Sequence, residues 1–399
     1  MITHSFYESD NRVIRYAEAL AARGDSVDVL ALRRKPEMSK TEMISGVTLH
    51  RIQDRFGKKE QSKSSYLWPI LKFLFTSSWW LTWTHRRKRY DVVHVHNIPD
   101  FLVFAAWFPK FTGTRIILDI HDIVPEFFGS KFGVADTSFL VRGLMLAEKI
   151  SAKFANHVIL ANHLWLDKYT ARSARPAKCT VFINNVDSNT FKPLACRKQS
   201  LDKQVILFPG GLQWHQGLDI AIRAFHKLHR RLPQTEFHIY GDGNMKAELE
   251  KLVQDLELNE SVRFFNPMSI RQIAKVMADA DLGVVPKRAD SFGNEAYSTK
   301  IMEFMSVGVP VVISSTKIDR YYFNDSVVRF FESGNVEALA QAMFEVLSNT
   351  ELRRGLVERA SGYAAQHSWE NCRADYLTLV DSLIAPRQKS EPKLQPALK

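Results

Sequence analysis

The sequence has few cysteines, and motifs that would define several other classes of protein are missing. Only three cysteines occur in 399 residues, at Cys179, Cys196 and Cys372. Their odd number and wide spacing argue against a disulfide framework or a zinc site and are typical of a reducing cytoplasm. The polar stretch HSFYESDNR follows the first three residues, so a signal peptide is not expected. No G-x-G-x-x-G motif follows a first strand, which ranks an NAD-dependent Rossmann enzyme low.

Acidic residues are scarce in the first half of the chain. The formal net charge is +11, and residues 1–190 contain 27 Lys/Arg against 18 Asp/Glu, whereas the remainder contains 27 against 25. A basic surface attracts nucleic acid, anionic lipid or phosphorylated ligands. The cluster RRKR at residues 86–89 is short and no recognition motif accompanies it, so a nucleic-acid partner is not expected. A solvated surface with a bias of sign is the simpler alternative.

The pattern of apolar runs predicts an α/β fold with two similar halves. Runs rich in Val, Ile and Leu alternate with amphipathic stretches, which indicates parallel strands covered by helices on both faces. The runs of the first half are VDVLAL (27–32), DVVHVH (91–96), RIILDI (115–120), HVIL (157–160) and TVFIN (180–184). Those of the second half are VILF (205–208), FHIYG (237–241), VRFF (262–265), DLGVVP (281–286), PVVIS (310–314) and VVRFF (327–331). We therefore predict two Rossmann-like, doubly wound domains that face one cleft, with ligands at the carboxyl ends of the strands.

The predicted domain boundaries follow this repeat. The chain is too long for one typical core, and we predict a first domain at residues 1–190 and a second at 204–370, joined by a polar linker at about 192–203. Residues 371–385 are predicted to form a helix that crosses back to the first domain, and residues 386–399, with three prolines, to be disordered. The opening MIT leaves a first strand of about three residues, and we expect the true start to lie upstream.

Glycine turns follow two strands of the second half. Gly210 and Gly211 come after VILF, and Gly241 follows FHIY. Glycine lets the backbone approach a phosphate, and the helix start beyond such a turn supplies N–H donors. Many strand-to-helix turns need glycine for geometry alone, so each turn by itself is weak evidence for a phosphate site.

The stretch GNEAYSTKIMEFMSVGVPVVIS (293–314) contains three charged residues that need an explanation. Glu295 lies on a polar loop at the carboxyl end of a predicted strand, and a helix from about Thr299 places Lys300 and Glu303 one turn apart. A surface salt bridge is the simple explanation and is worth little. The helix is otherwise apolar, however, and a carboxylate in such a helix needs a partner, such as a ligand hydroxyl.

Glu295 and Glu303, with seven residues between them and FMSVGVPVV after them, resemble the Glu-x7-Glu signature of retaining family-4 glycosyltransferases. Six further stretches are similar to other parts of this family in the same order: FYESDNRVIRYAEALAARGDSVDVL, YDVVHVHN, ILDIHD, VFINNVDSNTFKP, IYGDGNMKAELE and SVRFFNPM. The wording FGNEAYSTKIMEFM most resembles bacterial enzymes of exopolysaccharide, capsule and O-antigen assembly. The resemblance implies a two-domain fold of the GT-B type and retaining hexosyl transfer from a nucleotide-diphosphate sugar.

The resemblance also implies roles for individual residues. Glu303 would bind the ribose hydroxyls of the nucleotide sugar, Glu295 would contact the sugar or its phosphate end, and His121 would line the cleft near the transferred sugar. A core histidine at a strand end is the alternative for His121, and Asp122 beside it could merely cap a turn. The residues implied at the donor site are Gly210, Gly211, Gly241, Tyr297, Ser298, Thr299 and Glu303, and residues 264–268 would flank the base. No metal and no cofactor beyond the donor substrate is expected.

The sequence departs from the family pattern in one turn. The family usually has G-R-L-x-x-x-K-G after the first strand of the second domain, whereas this turn reads GGLQWHQG, with Gly211 and Gln216 at the places of the Arg and the Lys. A diphosphate leaving group without a cation is poorly stabilised. Lys300 is the first candidate for a replacement with a catalytic role, followed by Lys287 and Arg288.

Residues 66–89 combine many aromatic residues with the basic cluster. YLWPILKFLFTSSWWLTW reaches the borderline length for crossing a bilayer, but Lys72, Pro69 and the strand that follows argue against a crossing. We expect an interfacial helix on an anionic membrane surface, and hence a cytoplasmic protein that is peripheral at the inner face of the cell membrane. The acceptor implied by the resemblance is a lipid-linked glycan, often carried on polyprenyl diphosphate. A helix that packs on the sheet in the ordinary way is the alternative.

Two other functions stay open at the level of the sequence. A nucleotide-sugar 2-epimerase of the same fold would need acid and base side chains in the cleft and no membrane face. A non-catalytic, nucleotide-sugar-binding membrane scaffold would explain the missing Arg and Lys, although both glutamates of the signature are retained.

Overall fold

The computed structural model describes residues 1–55, 63–132, 138–195 and 203–384. The strands within these ranges form two separate sheets, one in each half of the chain. The predicted disordered tail at residues 386–399 lies outside the described residues, as does most of the predicted linker.

Eight strands form the first sheet: β1 (Ile2–Thr3), β2 (Val27–Arg33), β3 (Thr41–Ile44), β4 (Val47–Asp54), β5 (Val92–His96), β6 (Arg115–Ile120), β7 (His157–Leu160) and β8 (Cys179–Val181). Their order across the sheet is β3-β4-β2-β1-β5-β6-β7-β8. The expected short first strand is confirmed, because β1 has two residues and lies between β2 and β5, with Ile2 opposite both Leu30 and Val95.

One edge of the first sheet differs from the parallel pattern that the sequence predicted. β3 and β4 form an antiparallel hairpin, and neither strand was predicted. Its turn is Ser45-Gly46, in which both residues have positive φ, 49° and 79°, as a two-residue hairpin turn requires. The side chains of β4 alternate between buried and half-buried, so its sequence VTLHRIQD lacks the continuous apolar run used to recognise the other strands. β4 then pairs in parallel with β2.

Six helices complete the first domain: α1 (Asn11–Arg23), α2 (Lys63–His85), α3 (Trp107–Phe111), α4 (Val124–Phe132), α5 (Phe139–Phe154) and α6 (His163–Arg172). α1 begins at the N-cap Asp10, whose side chain accepts a hydrogen bond from the Val13 amide, and ends at Gly24 with a φ of 101°. Among the described residues, no helix is both long enough and apolar enough to span a bilayer.

Six parallel strands form the second sheet: β9 (Gln204–Pro209), β10 (Thr235–Tyr240), β11 (Val262–Phe265), β12 (Leu282–Val285), β13 (Val311–Ser314) and β14 (Arg329–Phe331). Their order is β11-β10-β9-β12-β13-β14. The helices of this half are α7 (Leu218–His229), α8 (Lys246–Asp255), α9 (Ile270–Asp279), α10 (Thr299–Ser306), α11 (Lys317–Tyr322), α12 (Val336–Ser348), α13 (Thr350–Gln366) and α14 (Trp369–Ile384). All six predicted strands of the second half are confirmed to within a few residues.

Helices cover both faces of the second sheet. Ile206 and Phe208 of β9 pack in one cluster with α7, α8 and α12, whereas Leu207 between them packs in another with α9, α10 and α13. Successive side chains of a strand point to opposite faces of its sheet, so the two clusters lie on opposite faces. The predicted doubly wound architecture is confirmed for this domain.

The last described helix, α14, lies against the first domain. Its Tyr376 is fully buried and stacks on Tyr16 of α1 with 4.1 Å between ring centroids. The Tyr376 hydroxyl lies 3.0 Å from Nδ1 of His94 on β5, and the Leu383 carbonyl accepts a hydrogen bond from Nε of Arg115. α14 therefore packs against the first domain, although it follows the second domain in the sequence.

A buried ion pair joins α1 to the centre of the first sheet. Nε and Nη2 of Arg12 each donate to the Asp119 carboxylate at 2.8 Å, and both side chains are nearly inaccessible to solvent. The remaining nitrogen, Nη1, donates to the Phe182 carbonyl at 2.7 Å. Burial would raise the pKa of Asp119, but the charge of Arg12 holds it well below the usual range.

Replacing Arg12 with Met should strongly destabilise the protein, because the buried Asp119 carboxylate loses its main cation. Breaking a buried pair in this way costs about 3–5 kcal/mol, which urea unfolding followed by circular dichroism would show as a lower free energy of unfolding. Arg23→Met is the matched control, since Arg23 lies on the same helix and pairs with Asp25 and Asp381 at the surface. The control should lose at most about 1 kcal/mol. Equal stability of the two variants would contradict the assignment.

Candidate active site

The loop between β12 and α10 connects the two domains at the carboxyl ends of their strands. Phe292 in this loop packs in the apolar core of the first domain, edge-on to Phe127 of α4 at 5.4 Å between centroids. Nδ2 of Asn162 donates to the Glu295 carbonyl at 2.9 Å, and the Tyr322 hydroxyl lies 2.7 Å from Nδ1 of His163. These contacts hold the start of α10 at the mouth of the interdomain cleft.

Two cavities adjoin in this cleft. The larger has a volume of about 520 Å³ and is lined by Asn11, Phe191, Pro209, Gly210, Gly211, Tyr240, Gly241, Asp242, Pro267, Met268, Ile270, Ile273, Met277, Thr299, Lys300 and Glu303. The smaller has a volume of about 380 Å³ and lies between α1 and the starts of α9 and α10. Six of the predicted site residues therefore line the larger cavity. Pro267 and Met268, which belong to the segment predicted to flank the base, line it as well.

Two glycines leave the space that this cavity needs. Gly210 and Gly241 have φ angles of 147° and 154°, which L side chains rarely adopt. A Cβ on Gly210 would lie 2.4 Å from Cε of Lys300, and one on Gly241 would lie 1.8 Å from the Gly210 carbonyl oxygen. The first glycine thus makes room for the Lys300 side chain, and the second lets the two turns touch.

Lys300 is a half-buried cation that no carboxylate contacts within the described ranges. Its Nζ donates to Oε1 of Gln216 at 3.0 Å and lies 5.2 Å from the centroid of the Phe208 ring. Burial lowers its pKa to about 8, while the charge of Glu303 one turn away acts in the opposite direction. Gln216 occupies the position where the family usually has its Lys, so the amide that replaces that cation now holds Lys300 in the turn.

Glu303 faces the same cavities from α10. Burial raises the pKa of its carboxyl group, and the charges of Lys300 and Arg15 and a hydrogen bond from Thr299 partly offset this. A carboxylate that lines a cavity and forms no ion pair with another described residue is suited to accept hydrogen bonds from ligand hydroxyls.

The start of α10 lies beside both cavities, although Ser298 itself lines neither of them. Ser298 is the N-cap residue, yet its side chain forms no capping hydrogen bond. Its buried Oγ has no hydrogen-bond partner among the described residues. Thr299, the first residue of the helix, lines both cavities. A helix start of this kind attracts anions, because its N–H groups and its dipole point at the same place.

Glu295 is placed at the domain junction and not on the wall of either cavity. Its carboxylate pairs with Lys168 of α6 at 2.6 Å, and Lys168 also lies 3.5 Å from Glu126. The predicted contact of Glu295 with a sugar would therefore require it to share or leave Lys168. Tyr297 also lines neither cavity, and its ring lies edge-on to Tyr322 of α11 at 5.1 Å.

The two secondary candidates for the missing cation are committed to carboxylates. Lys287 is buried, pairs with Asp319 at 3.0 Å and donates to the Ala296 carbonyl at 2.7 Å. Arg288 donates twice from Nη2 to Asp219, at 2.6 and 2.7 Å. Both residues therefore hold the loop in place, which leaves Lys300 as the first-ranked candidate.

His121 follows β6 and is held from three directions. Its backbone amide donates to Oδ1 of Asn97 at 2.7 Å, and its Nε2 lies 3.3 Å from Asp119 and 3.1 Å from Nδ1 of His96. Burial acts to lower its pKa, but Asp119 raises it above the usual value on balance. His121 is thus a positioned side chain whose protonated form is favoured by Asp119, although it lines neither cavity.

Two groups of residues have side chains of the types that bind metal ions, but the surroundings of each group argue against a metal site in the cleft. His94, His96 and Asp119 lie close enough together to hold an ion, but the Asp119 carboxylate already accepts two hydrogen bonds from Arg12, and the nearby guanidinium disfavours a second cation. The sequence also contains an Asp-x-Asp pattern at 279–281. Oδ2 of Asp281 accepts a hydrogen bond from the Val205 amide at the amino end of the sheet, away from the cleft.

Two residues of α1 that the sequence did not single out also line the cleft. Asn11 lines both cavities, and Arg15 lines the smaller one opposite Glu303. Both lie one turn apart in a helix that follows an opening loop similar to that of the family. The position of this helix after the opening loop was the sequence signal that could have identified the two residues. Which face of the helix points toward the second domain, however, depends on how the two domains pack.

The arrangement of two facing α/β domains is that of the GT-B glycosyltransferases. Sucrose-phosphate synthase from Thermosynechococcus elongatus superposes with a TM-score of 0.77 at 18% identity, over 96% of this chain and 98% of that one. HepE from Anabaena, solved in complex with UDP-glucose, superposes with a TM-score of 0.73 at 17% identity, over 96% and 98% of the two chains.

Sequence families agree with the fold in both halves. Residues 10–185 match the glycosyl transferase 4-like domain, and residues 196–362 match the glycosyl transferases group 1 family. The chain belongs to the family-4 glycosyltransferases of the GT-B fold. The gpi3 subunit of phosphatidylinositol N-acetylglucosaminyltransferase from Schizosaccharomyces pombe is 23% identical over 77% of this chain. The chain spans 62% of the length of that relative.

Replacing Lys300 with Met should stabilise the ligand-free protein, because a desolvated ammonium is removed from an apolar site. The lowered pKa of Lys300, about 8 against an ordinary 10.5, corresponds to a gain of up to about 3 kcal/mol at neutral pH. The gain should fall as the pH rises from 8 toward 10.5, because the folded lysine is then already neutral and the free energy needed to remove its proton shrinks as the pH approaches the pKa of the unfolded chain. Thermal unfolding between pH 7 and 10 measures this, with Lys227→Met on the exposed face of α7 as control. A destabilised Lys300→Met variant would contradict the account.

Proposed function

We propose that this protein is a retaining glycosyltransferase that moves a sugar from a nucleotide-diphosphate sugar to a lipid-linked glycan in bacterial surface polysaccharide synthesis. The observation that carries the proposal is the larger cavity, whose wall combines two close glycine turns, the start of α10, the half-buried Lys300 and the Glu303 carboxylate. Backbone donors and one cation suit a diphosphate, and the carboxylate suits ribose hydroxyls. The UDP-glucose bound to the Anabaena neighbour supports a nucleotide sugar as the donor here.

Different residues around the cavity bind different parts of the donor. Tyr240, which stacks on Phe265 at 4.4 Å, forms an apolar wall with Met268 and Met277 that suits a nucleobase. Glu303 accepts hydrogen bonds from the ribose. Lys300 and the first amides of α10 bind the diphosphate and stabilise the negative charge that grows on it as the bond to the sugar breaks. In water-excluded surroundings such a cation is worth far more than at the surface.

Transfer with retention needs no separate general base in this arrangement. The acceptor hydroxyl attacks from the face on which the diphosphate leaves, and its proton passes to an oxygen of the leaving phosphate. His121, held by Asp119 and the Asn97 side chain, offers a hydrogen-bond donor on the first-domain side of the cleft, and Asp119 favours its protonated form. Glu295 reaches the sugar when it exchanges Lys168 for a ligand hydroxyl.

The bacterial polysaccharide role rests on the wording FGNEAYSTKIMEFM, and the lipid-linked acceptor rests on the surface of the first domain. Five large apolar side chains on α2 are exposed: Leu67, Trp68, Phe75, Trp79 and Trp83. Trp107 and Phe111 of α3 and Phe139, Leu140, Leu146 and Ile150 of α5 are exposed as well. Both α2 and α5 pack against the 3-10 helix Asp100–Ala106, which leads into α3. Eleven of the sixteen exposed large apolar side chains in the described residues therefore belong to three neighbouring helices, which we call the apolar face.

The charges around the apolar face are of one sign. α2 and α3 contain no acidic residue, and the one acidic residue of α5, Glu148, is buried and paired with Arg172. The basic cluster at residues 86–89 follows α2 directly, and the Arg87 guanidinium lies 5.1 Å from the Trp83 ring centroid. Aromatic side chains at the headgroup boundary with cations beside them are typical of binding to an anionic bilayer. We therefore propose a peripheral location at the cytoplasmic face of the cell membrane.

Nucleotide binding is tested by thermal-shift titration with UDP, GDP and their common sugars. One nucleotide series should stabilise the wild-type protein by about 2.7 kcal/mol at 100 times its dissociation constant, and Glu303→Gln should lose most of this effect. Glu337→Gln is the control, because Glu337 is exposed at the start of α12. A lack of any shift in the wild-type protein, or an undiminished shift in Glu303→Gln, would overturn the donor site.

Membrane binding is tested by co-sedimentation with vesicles of phosphatidylglycerol and of phosphatidylcholine. The protein should sediment with the anionic vesicles and be released by high salt. Trp79→Ser/Trp83→Ser should weaken binding by about tenfold or more, since two exposed aromatic side chains are lost. Met43→Ser, an exposed apolar residue on the edge strand β3, is the control. No sedimentation with either vesicle, or a stable dimer that the double substitution breaks, would contradict a membrane role for the apolar face.

A further inference from the structure

A further cation on the wall of the cleft is Arg15 of α1. Its Nε donates to the Asn11 carbonyl at 3.1 Å, and its Nη2 donates to Oδ1 of Asn184. Both partners are uncharged, and Arg15 forms no ion pair with any described residue. Lys287 and Arg288, by contrast, are neutralised by Asp319 and Asp219. Arg15 is therefore not neutralised by a salt bridge with a described residue, although the charges of Asp187 and Glu303 on the wall of the same cavity act on it.

Arg15 faces Glu303 across the smaller cavity. Both residues line this volume of about 380 Å³, Arg15 from the first domain and Glu303 from the second. They do not form a salt bridge, yet each lies in the field of the other, since Glu303 acts to raise the pKa of Arg15 and Arg15 acts to lower that of Glu303. The Arg15 guanidinium and the Glu303 carboxylate therefore remain available on opposite sides of an open space. A ligand that carries both negative charge and hydroxyl groups can contact the two of them.

The smaller cavity continues into the larger one. Both are lined by Asn11, Phe191, Ile270, Thr299 and Glu303. A ligand whose ribose contacts Glu303 and whose diphosphate lies at the start of α10 is therefore bordered by α1 on its other side. The turn that usually supplies two cations has Gly211 and Gln216 instead, and Lys300 supplies only one from the second domain.

We propose that Arg15 binds the diphosphate of the donor, as the cation that the first domain contributes to a site otherwise built by the second. This inference rests on the proposed function and identifies how the site compensates for the missing Arg. A guanidinium suits this role, because its planar fork can donate two hydrogen bonds to a phosphate and keeps its charge when buried. Donor binding then depends on both domains, so that the diphosphate itself draws α1 and α10 together.

Isothermal titration with nucleotides and with nucleosides separates a diphosphate contact from a general effect. Arg15→Gln should weaken binding of UDP or GDP, whichever the wild-type protein binds, by about 10- to 100-fold. Binding of the matching nucleoside, uridine or guanosine, should stay within about twofold, because it lacks the phosphates. Arg15→Lys should recover part of the loss, since it keeps the charge but not the fork. Arg271→Gln is the control, because it removes a cation from the rim of the same cavity at the start of α9.

Each other outcome overturns the inference in a recognisable way. If Arg15→Gln binds the nucleoside diphosphate as tightly as the wild-type protein, the assignment of Arg15 is wrong and the donor site stands. If nucleoside binding falls to the same extent, or if Arg271→Gln has an equal effect, Arg15 acts through structure or through general charge. If the wild-type protein binds no nucleoside diphosphate, the proposed function fails together with the inference.

Discussion

The buried pair of Arg12 and Asp119 is the interaction on which the first half of the cleft depends. An isolated charge at that depth is costly, so neither side chain can leave without the other. The pair fixes the start of α1 against the carboxyl end of β6, and through the Phe182 carbonyl it also reaches the segment after β8. His96 and His121 share the same carboxylate. One ion pair therefore orients the residues that the first domain presents to the second.

In the second domain, the cations that hold the loop differ in their partners from the cation that lines the cavity. The loop before α10 is held by cations that are matched with carboxylates, as in the pair of Lys287 and Asp319. Lys300 and Arg15, which line the cavities, are instead held by amide and carbonyl oxygens. Partial burial of Lys300 and Arg15 costs free energy in the ligand-free protein, and binding of an anion offsets this cost. A site of this kind trades stability for binding strength.

The sequence predicted the strands of the second domain well, because strands covered on both faces are continuous apolar runs. It missed the hairpin of β3 and β4, since TEMI lies exposed at the sheet edge and VTLHRIQD alternates between apolar and polar residues. Within the site, the glycine turns, Lys300 and Glu303 could be predicted because they lie close together along the chain or in a known signature. Arg15 could not, because its partner wall is almost 300 residues away in the sequence. Glu295 was predicted beside the sugar, and its pairing with Lys168 depends on a contact between domains that local patterns do not encode.

The cleft thus combines a rigid wall from the first domain with a loop from the second that is inserted into it. Phe292, in the loop before α10, packs in the core of the first domain. This loop therefore holds the start of α10 in a fixed position between the two domains. This coupling makes amide hydrogen exchange the most direct test of the account. On addition of saturating UDP or GDP, exchange should slow at the start of α10, at residues 210–217 and in the first turn of α1, because a diphosphate accepts from amides that otherwise face solvent. Protection confined to other parts of the chain, or none under conditions of proven binding, would contradict a donor site between the two domains.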